Sequence, residues 1–213
     1  MNTMKKFIYE FIYRNSYKKR TGILFDKKVS QHFLFNALNT AVSLCRKNPE
    51  AASELIIEIS TYLQKSLEDK DILIPLEEEL EHVFSYINIQ KARFSDRLKV
   101  VTDIEGDMKC RIPAFILQPV VDNAIRHGVL KRKRGGMVIL TIKRVGQFVQ
   151  IIVKDDGEGM NVEQINRIYK KCSKDCSLYR INCLLKASGC DRLIINSKRG
   201  EGTAVMLTIP YDR

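Results

Sequence analysis

From residue 31 to residue 45, apolar side chains return every three or four positions, at Leu34, Leu38, Ala41 and Cys45, with Phe35 and Val42 widening the stripe. That is the period of a helix with one buried face. Asn48-Pro49-Glu50 reads as a stop followed by a start: a capping residue, a proline at the first helical position, then an acid in the first turn. The next stripe runs through Leu55, Ile56, Ile59, Leu63 and Leu67, so two antiparallel helices joined by a short turn are predicted. A third helix is predicted from Leu76 through Leu80, Val83, Phe84 and Ile87 to about Phe94.

Beyond this the period changes. Leu98, Val100, Thr102 and Ile104 alternate as in a strand, and 113–127 is helical with Pro119 as a candidate kink. Residues 137–145 and 147–154 are two β-rich runs hinged at Gly146. Helices are predicted at 161–170 and 176–188, and strands at 192–196 and 204–209 around a turn at 197–203. The expected fold is therefore α+β, an N-terminal helical hairpin followed by a sandwich whose mixed sheet carries helices on one face. A boundary near 69–74 divides the chain into segments 1–29, 30–72 and 73–213.

At 213 residues and 45% hydrophobic content, the chain can bury a sizeable core. No apolar run reaches the roughly 20 residues needed to span a bilayer, and no secretory signal follows the basic start. A cytoplasmic protein is expected. The six cysteines lack metal-ligand spacing with histidine and read as reduced thiols. The net charge of +11 is concentrated at residues 5–20 and 131–134. The first cluster interleaves with Phe7, Ile8, Phe11, Ile12 and Tyr13, an amphipathic pattern suited to the inner face of an anionic membrane. Charge alone also fits nucleic acid, but no helix-turn-helix or aromatic RNA-binding pattern accompanies it, so no nucleic-acid partner is expected.

The chemistry is concentrated at 117–128, Leu-Gln-Pro-Val-Val-Asp-Asn-Ala-Ile-Arg-His-Gly. An apolar helical face carries a polar strip of Asp122, Asn123, Arg126 and His127 before Gly128 stops the helix. An amide, a carboxylate and a cation on one strip suit a nucleotide with its magnesium. Asp155-Asp156-Gly157-Glu158-Gly159-Met160 and Gly200-Glu201-Gly202-Thr203 follow in order. Upstream, His32 opens the run His-Phe-Leu-Phe-Asn-Ala-Leu-Asn, and a neutral imidazole on a helix is a nucleophile near neutral pH.

Together with Leu76-Glu77-Glu78-Glu79-Leu80, the stretch from Tyr86 to Arg93-Phe94, Ile112-Pro113 and Leu117-Gln118-Pro119, these motifs resemble the LytS/YehU-type sensor histidine kinases. The catalytic domain of that family belongs to the GHKL ATPase superfamily, and the resemblance runs from about Ser30 to Pro210. It implies an ATP-dependent protein-histidine kinase of a two-component system, a homodimer that passes phosphate to a response-regulator aspartate. In that reading 30–72 is the dimerisation and phosphoacceptor region, 73–213 the ATP-binding domain, and His32 the phosphoacceptor. Asn123 matches the magnesium ligand, Arg126 and His127 would meet phosphate oxygens, and Asp122 stands where the family has glutamate. Asp155 would accept from the adenine amino group. Gly157 and Gly159 would let the backbone pass beneath the base, and Gly200, Gly202 and Thr203 would complete the adenine end. Asp156 replaces a usual asparagine.

Two departures set limits. The family's lid resembles G-x-G-L-x-N, whereas Asp175-Cys176-Ser177-Leu178-Tyr179-Arg180 lacks both glycines and the asparagine. Backbone N–H groups that approach a triphosphate need such glycines, so weaker phosphate closure is expected, with Lys170, Lys171, Lys174 or Arg180 as candidate replacements. Only about thirty residues precede His32, where the family has a sensory region, which leaves three expectations open: a sensor-less kinase, a signal supplied by a partner, or a clipped sequence. The rival reading is a non-catalytic regulator that binds nucleotide and dimerises.

Overall fold

The computed structural model describes residues 30–68, 71, 73–169, 177–187 and 193–212. The basic segment at 1–20, Lys170, Lys171, Lys174 and the first two residues of the lid motif lie outside the described residues. In chain order the elements are α1 (Gln31–Lys47), α2 (Pro49–Leu67), β1 (Leu73–Pro75), α3 (Leu76–Phe94), β2 (Leu98–Glu105), β3 (Arg111–Pro113), α4 (Leu117–Asp122), β4 (Gly136–Val145), β5 (Phe148–Asp155), α5 (Val162–Tyr169), α6 (Ser177–Ala187), β6 (Ile194–Lys198) and β7 (Gly202–Pro210). No helix among the described residues is long and apolar enough to cross a membrane.

A single residue makes the hairpin turn. The Asn48 backbone N–H donates to the Leu44 carbonyl and ends α1, while its side-chain oxygen accepts from the Ala51 N–H at 3.0 Å and starts α2. The face α1 buries is not the one its large apolar residues suggest. Phe33, Ala37 and Ala41 are buried, Leu34 is half-buried, and Phe35, Leu38, Val42 and Cys45 are exposed. Apolar residues surround this helix, so its periodicity fits two faces. The alanine face lets α2 approach closely and takes the intramolecular core.

The helix expected from residue 113 starts at Leu117 instead, because 111–113 pair with 73–75 in a two-stranded antiparallel ladder. Glu79, fully buried, supplies the acceptors that this start needs. Its carboxylate accepts from the backbone N–H of Phe115 at 2.8 Å and of Leu117 at 2.9 Å, and Phe115 adopts a φ of 61° between them. Pro119 falls in the first turn, where an amide has no intrahelical partner, so its missing N–H costs no helix bond. Nor does Gly128 simply stop the helix. Residues 123–128 widen into a π-turn and 129–131 tighten into a 3₁₀ turn.

The main sheet has five strands in the order β2-β4-β5-β7-β6, with β2 parallel to β4 and every other pair antiparallel. This is the predicted mixed sheet with packed helices. Along β5, Val149, Ile151, Val153 and then Asp155 alternate inward. A carboxylate therefore occupies the last core-facing position of a central strand, and it marks the site.

Candidate nucleotide site and phosphoacceptor cleft

Asp155 is 4% exposed and is held from two sides. The Gly157 N–H donates to its Oδ1 at 2.8 Å, and the backbone of Thr203, its cross-strand partner on β7, also donates to it. Burial pushes its carboxyl up from 3.8 to about 6, against the pull of these two donors. Gly128 lies against the carboxylate, since a Cβ there would sit 2.5 Å from Oδ1. The turn after Asp155 packs as closely: a Cβ on Gly157 would fall 2.1 Å from the Gly128 carbonyl carbon. On the other side Gly202, at φ 98°, leaves no room for a side chain against the Asp155 carbonyl. In the sequence Gly128 reads only as a helix stop; its close approach to Asp155 is a long-range contact.

The remaining residues expected at the adenine end gather around this core. Gly159 abuts Lys198, and the Gly200 N–H donates to the Glu158 carbonyl at 2.6 Å. The Thr203 hydroxyl shares a 2.8 Å bond with Ser197, which also accepts from the Met160 N–H and donates to the Gly202 carbonyl. The basic loop after the 3₁₀ turn reaches the same loops: Arg132 donates to the Gly200 carbonyl, and Lys131 pairs with Glu158 at 3.5 Å. Asp156 turns the other way. Its Oδ1 accepts from the Met137 N–H at 2.7 Å and ties the turn to β4, which gives the substituted residue a structural part.

Asn123 opens the π-turn, a distortion frequent at functional sites. Its Nδ2 donates to the Pro119 carbonyl at 3.0 Å and to the Ser177 hydroxyl at 2.7 Å. With the amide nitrogen so tied, Oδ1 has no hydrogen bond among the described residues and suits a hard cation. Ser177 stands where the lid motif has its second glycine, so the substitution puts a hydroxyl on this amide. Among the described residues no group of three or more His, Cys, Asp or Glu could hold a metal alone. A single amide oxygen therefore fits magnesium that arrives with phosphate oxygens and keeps its waters. His127 and Arg126 are exposed on the following turn.

Asp122 belongs to a different surface. Tyr86 on α3 donates to its Oδ1, and Arg126 lies 3.6 Å from its Oδ2. Gln90 donates to the Tyr86 hydroxyl, and Arg93 donates to Gln90 Oε1 at 2.8 Å. Burial, then the neighbouring Asp122 carboxylate, push the Tyr86 phenol well above its ordinary range, so it stays a donor. These side chains line a cavity of about 520 Å³ between α1, α3 and α4. His32 lines the same cavity. It sits on the first turn of α1, exposed, with the Asn36 amide nitrogen 3.1 Å from its Nε2. The spacing of Tyr86, Gln90 and Arg93 places them on one helical stripe. Their mutual bonds were not legible from the sequence, because a polar stripe inside a buried helix reads as a solvated face.

Known proteins carry the same two parts in the same order. The histidine kinase family matches residues 24–98, and the histidine kinase-, DNA gyrase B- and HSP90-like ATPase family matches residues 112–213. The chain is 36% identical over 188 residues to the uncharacterized protein YwpD of Bacillus subtilis, covering 86% of this chain and 68% of that protein. The chain belongs to the histidine kinase family. It is also 42% identical over 144 residues to the sensor histidine kinase YpdA of Escherichia coli, covering 67% of this chain and 26% of that protein. To the sensor protein LytS of Bacillus cereus it is 35% identical over 192 residues, covering 86% of this chain and 33% of that protein. The chain thus spans about a quarter to a third of the length of these two relatives. Among solved structures, the Acinetobacter baumannii histidine kinase AdeS superposes with a TM-score of 0.52 at 15% identity, covering 97% of this chain and 94% of that one. The histidine kinase domain of an Erythrobacter litoralis blue-light activated kinase gives 0.51 at 17% identity, covering 84% and 92%. These two likenesses carry the fold.

Proposed function

We propose that this chain is an ATP-dependent protein-histidine kinase of a two-component system, which phosphorylates His32 and passes the group to an aspartate of a response regulator. One observation carries the reading: His32 lines the same cavity as Asp122 and Arg126, which share a helical segment with Asn123. In the proposed step a lone pair on an imidazole nitrogen attacks the γ-phosphorus of ATP. The bond to the bridging oxygen breaks, its electron pair leaves with ADP, and the remaining ring N–H proton is released to water. Phosphoryl transfer asks mainly for alignment and charge neutralisation. Asn123 Oδ1 would hold magnesium with the phosphate oxygens, and the ion supplies neutralisation there. Asp155 would accept from the adenine amino group, with Gly157, Gly159, Gly200, Gly202 and Thr203 shaping the adenine end. Asp122, fixed by Tyr86 and Arg126, orients the reacting end, while Arg126 and His127 offer cationic and polar contacts to phosphate.

The reading includes a homodimer. Phe35, Leu38 and Val42 on α1 are 66%, 47% and 71% exposed, and Ile56 and Ile57 on α2 are also exposed. An apolar surface on a two-helix hairpin suits a four-helix bundle with a second copy. It also sets the protein in the cytoplasm, with residues 1–20 at the inner membrane face or against a sensor partner.

Incubation with γ-labelled ATP and magnesium tests the proposal. Acid-labile, base-stable label that is absent in His32→Ala is expected, and failure to label the wild-type chain contradicts it. The second reading, a nucleotide-binding regulator without transfer, is favoured by the lost lid glycines. It predicts ATP binding in a calorimetric titration with no label on the chain.

A further inference from the structure

Arg93 is half-buried at the end of α3, where a guanidinium is costly to desolvate without a counter-charge. Among the described residues no carboxylate lies within ion-pair distance of it. Its one side-chain hydrogen bond there is Nη1 to Gln90. Its guanidinium lies over the rings of Phe94, 4.9 Å away, and Phe33, 5.8 Å away, and Phe33 directly follows His32. Among the described residues, the cavity it lines contains four arginines, Arg93, Arg97, Arg126 and Arg180, against a single carboxylate, Asp122. That carboxylate is already engaged by Tyr86 and Arg126. Arg97 is drawn off to the carbonyls of Leu130 and Arg132. Arg93 is thus held by the hydrogen-bonded chain that runs from it through Gln90 and Tyr86 to Asp122, and by two rings, and it lines a cleft that also receives His32. A planar fork fixed in this way is suited to the oxygens of a phosphoryl group.

We propose that Arg93 is a catalytic residue that binds the γ-phosphoryl group of ATP as it moves to His32, supplying from α3 part of the charge stabilisation that the altered lid does not. The inference rests on the kinase reading above. In the transfer, one bond forms between His32 nitrogen and phosphorus and one breaks to the ADP oxygen. Arg93 exchanges no proton; it neutralises the equatorial oxygens.

The test compares the wild-type chain with Arg93→Gln and Arg93→Lys, titrating each with Mg-ATP and separately with Mg-ADP, and following label on His32. Arg93→Gln is expected to weaken ATP binding by about tenfold to a hundredfold, the scale of one charge-assisted hydrogen bond, and to slow phosphorylation by at least as much. ADP affinity stays unchanged, which also shows that the variant is folded. Arg93→Lys, which keeps the charge but loses the fork, falls between. Equal loss of ATP and ADP affinity, or no change in their ratio, overturns the proposal, and Arg93→Lys decides in the same way if Arg93→Gln does not fold. A wild-type chain that binds neither nucleotide overturns the kinase reading itself.

Discussion

Asp155→Asn separates what the proposed adenine site costs the fold from what it provides. In the native chain the Asp155 carboxyl is pushed up to about 6, against an ordinary 3.8, because it is buried at the end of β5 behind Gly128 and beside β7. An unfolded chain ionises first, so between these two pH values the native state holds more protons, and rising pH removes stability. The shift is about two units, each worth about 1.4 kcal/mol, so ionising this group in place costs up to ~3 kcal/mol once the pH is well above 6. Asparagine carries no charge but has one acceptor oxygen for the two backbone donors, a pH-independent loss of about 1 kcal/mol. Urea denaturation of both chains across pH 4 to about 8 reads the difference. Relative to Asp155→Asn, wild type should lose about 2–3 kcal/mol as pH rises from ~4 to ~7 and then stay level. At pH ~8 the variant should be the more stable protein, yet bind ATP more weakly, because one of the two acceptor oxygens becomes an NH2 donor and the other must serve both the backbone and the proposed adenine contact. A difference in stability that does not change with pH, or one with the opposite slope, refutes the argument.

Other predictions follow from the same geometry. Gly128→Ala places a methyl 2.5 Å from Asp155 Oδ1, so calorimetry should find ATP binding weakened about tenfold or more, with stability reduced by ~1–3 kcal/mol. Glu79→Ala strips the Phe115 and Leu117 N–H groups of their acceptor and should cost about 2–4 kcal/mol in urea unfolding, with Glu79→Gln costing less. A loss within ~0.5 kcal/mol of zero, the scale of an ordinary surface change, would remove that residue from its capping role. Val42→Glu, on the exposed apolar face of α1, should convert a dimer to a monomer in light scattering while leaving the far-UV spectrum unchanged.

The order of elements and the mixed sheet were legible because strand alternation and helical stripes are local signals. So was the inward placement of Asp155, which continues the phase of Val149, Ile151 and Val153 and is followed by two glycines. What escaped the sequence is long-range or ambiguous in phase. The short ladder of β1 and β3 is three residues a side, too brief to show a period. The face buried by α1 could not be chosen from periodicity, because two faces are apolar and only the packing of α2 against Phe33, Ala37 and Ala41 selects one. Glu79 stands within a run of three glutamates, where nothing local distinguishes the buried member from its wet neighbours. The π-turn at Asn123 likewise leaves no signature in a stretch whose composition reads as plain helix. Gly128, Ser177 and Arg93 gain their places from partners 27, 54 and 60 or more positions away: Asp155, Asn123 and Phe33.

In the proposed kinase, the cleft between α1 and α3 delivers phosphate to one histidine. Peptide mapping by mass spectrometry at alkaline pH, after incubation with ATP and magnesium, tests it most directly. Phosphate is expected on the peptide containing His32 and on no peptide containing His82 or His127. Phosphate on another residue, or its persistence at full level in His32→Ala, contradicts it.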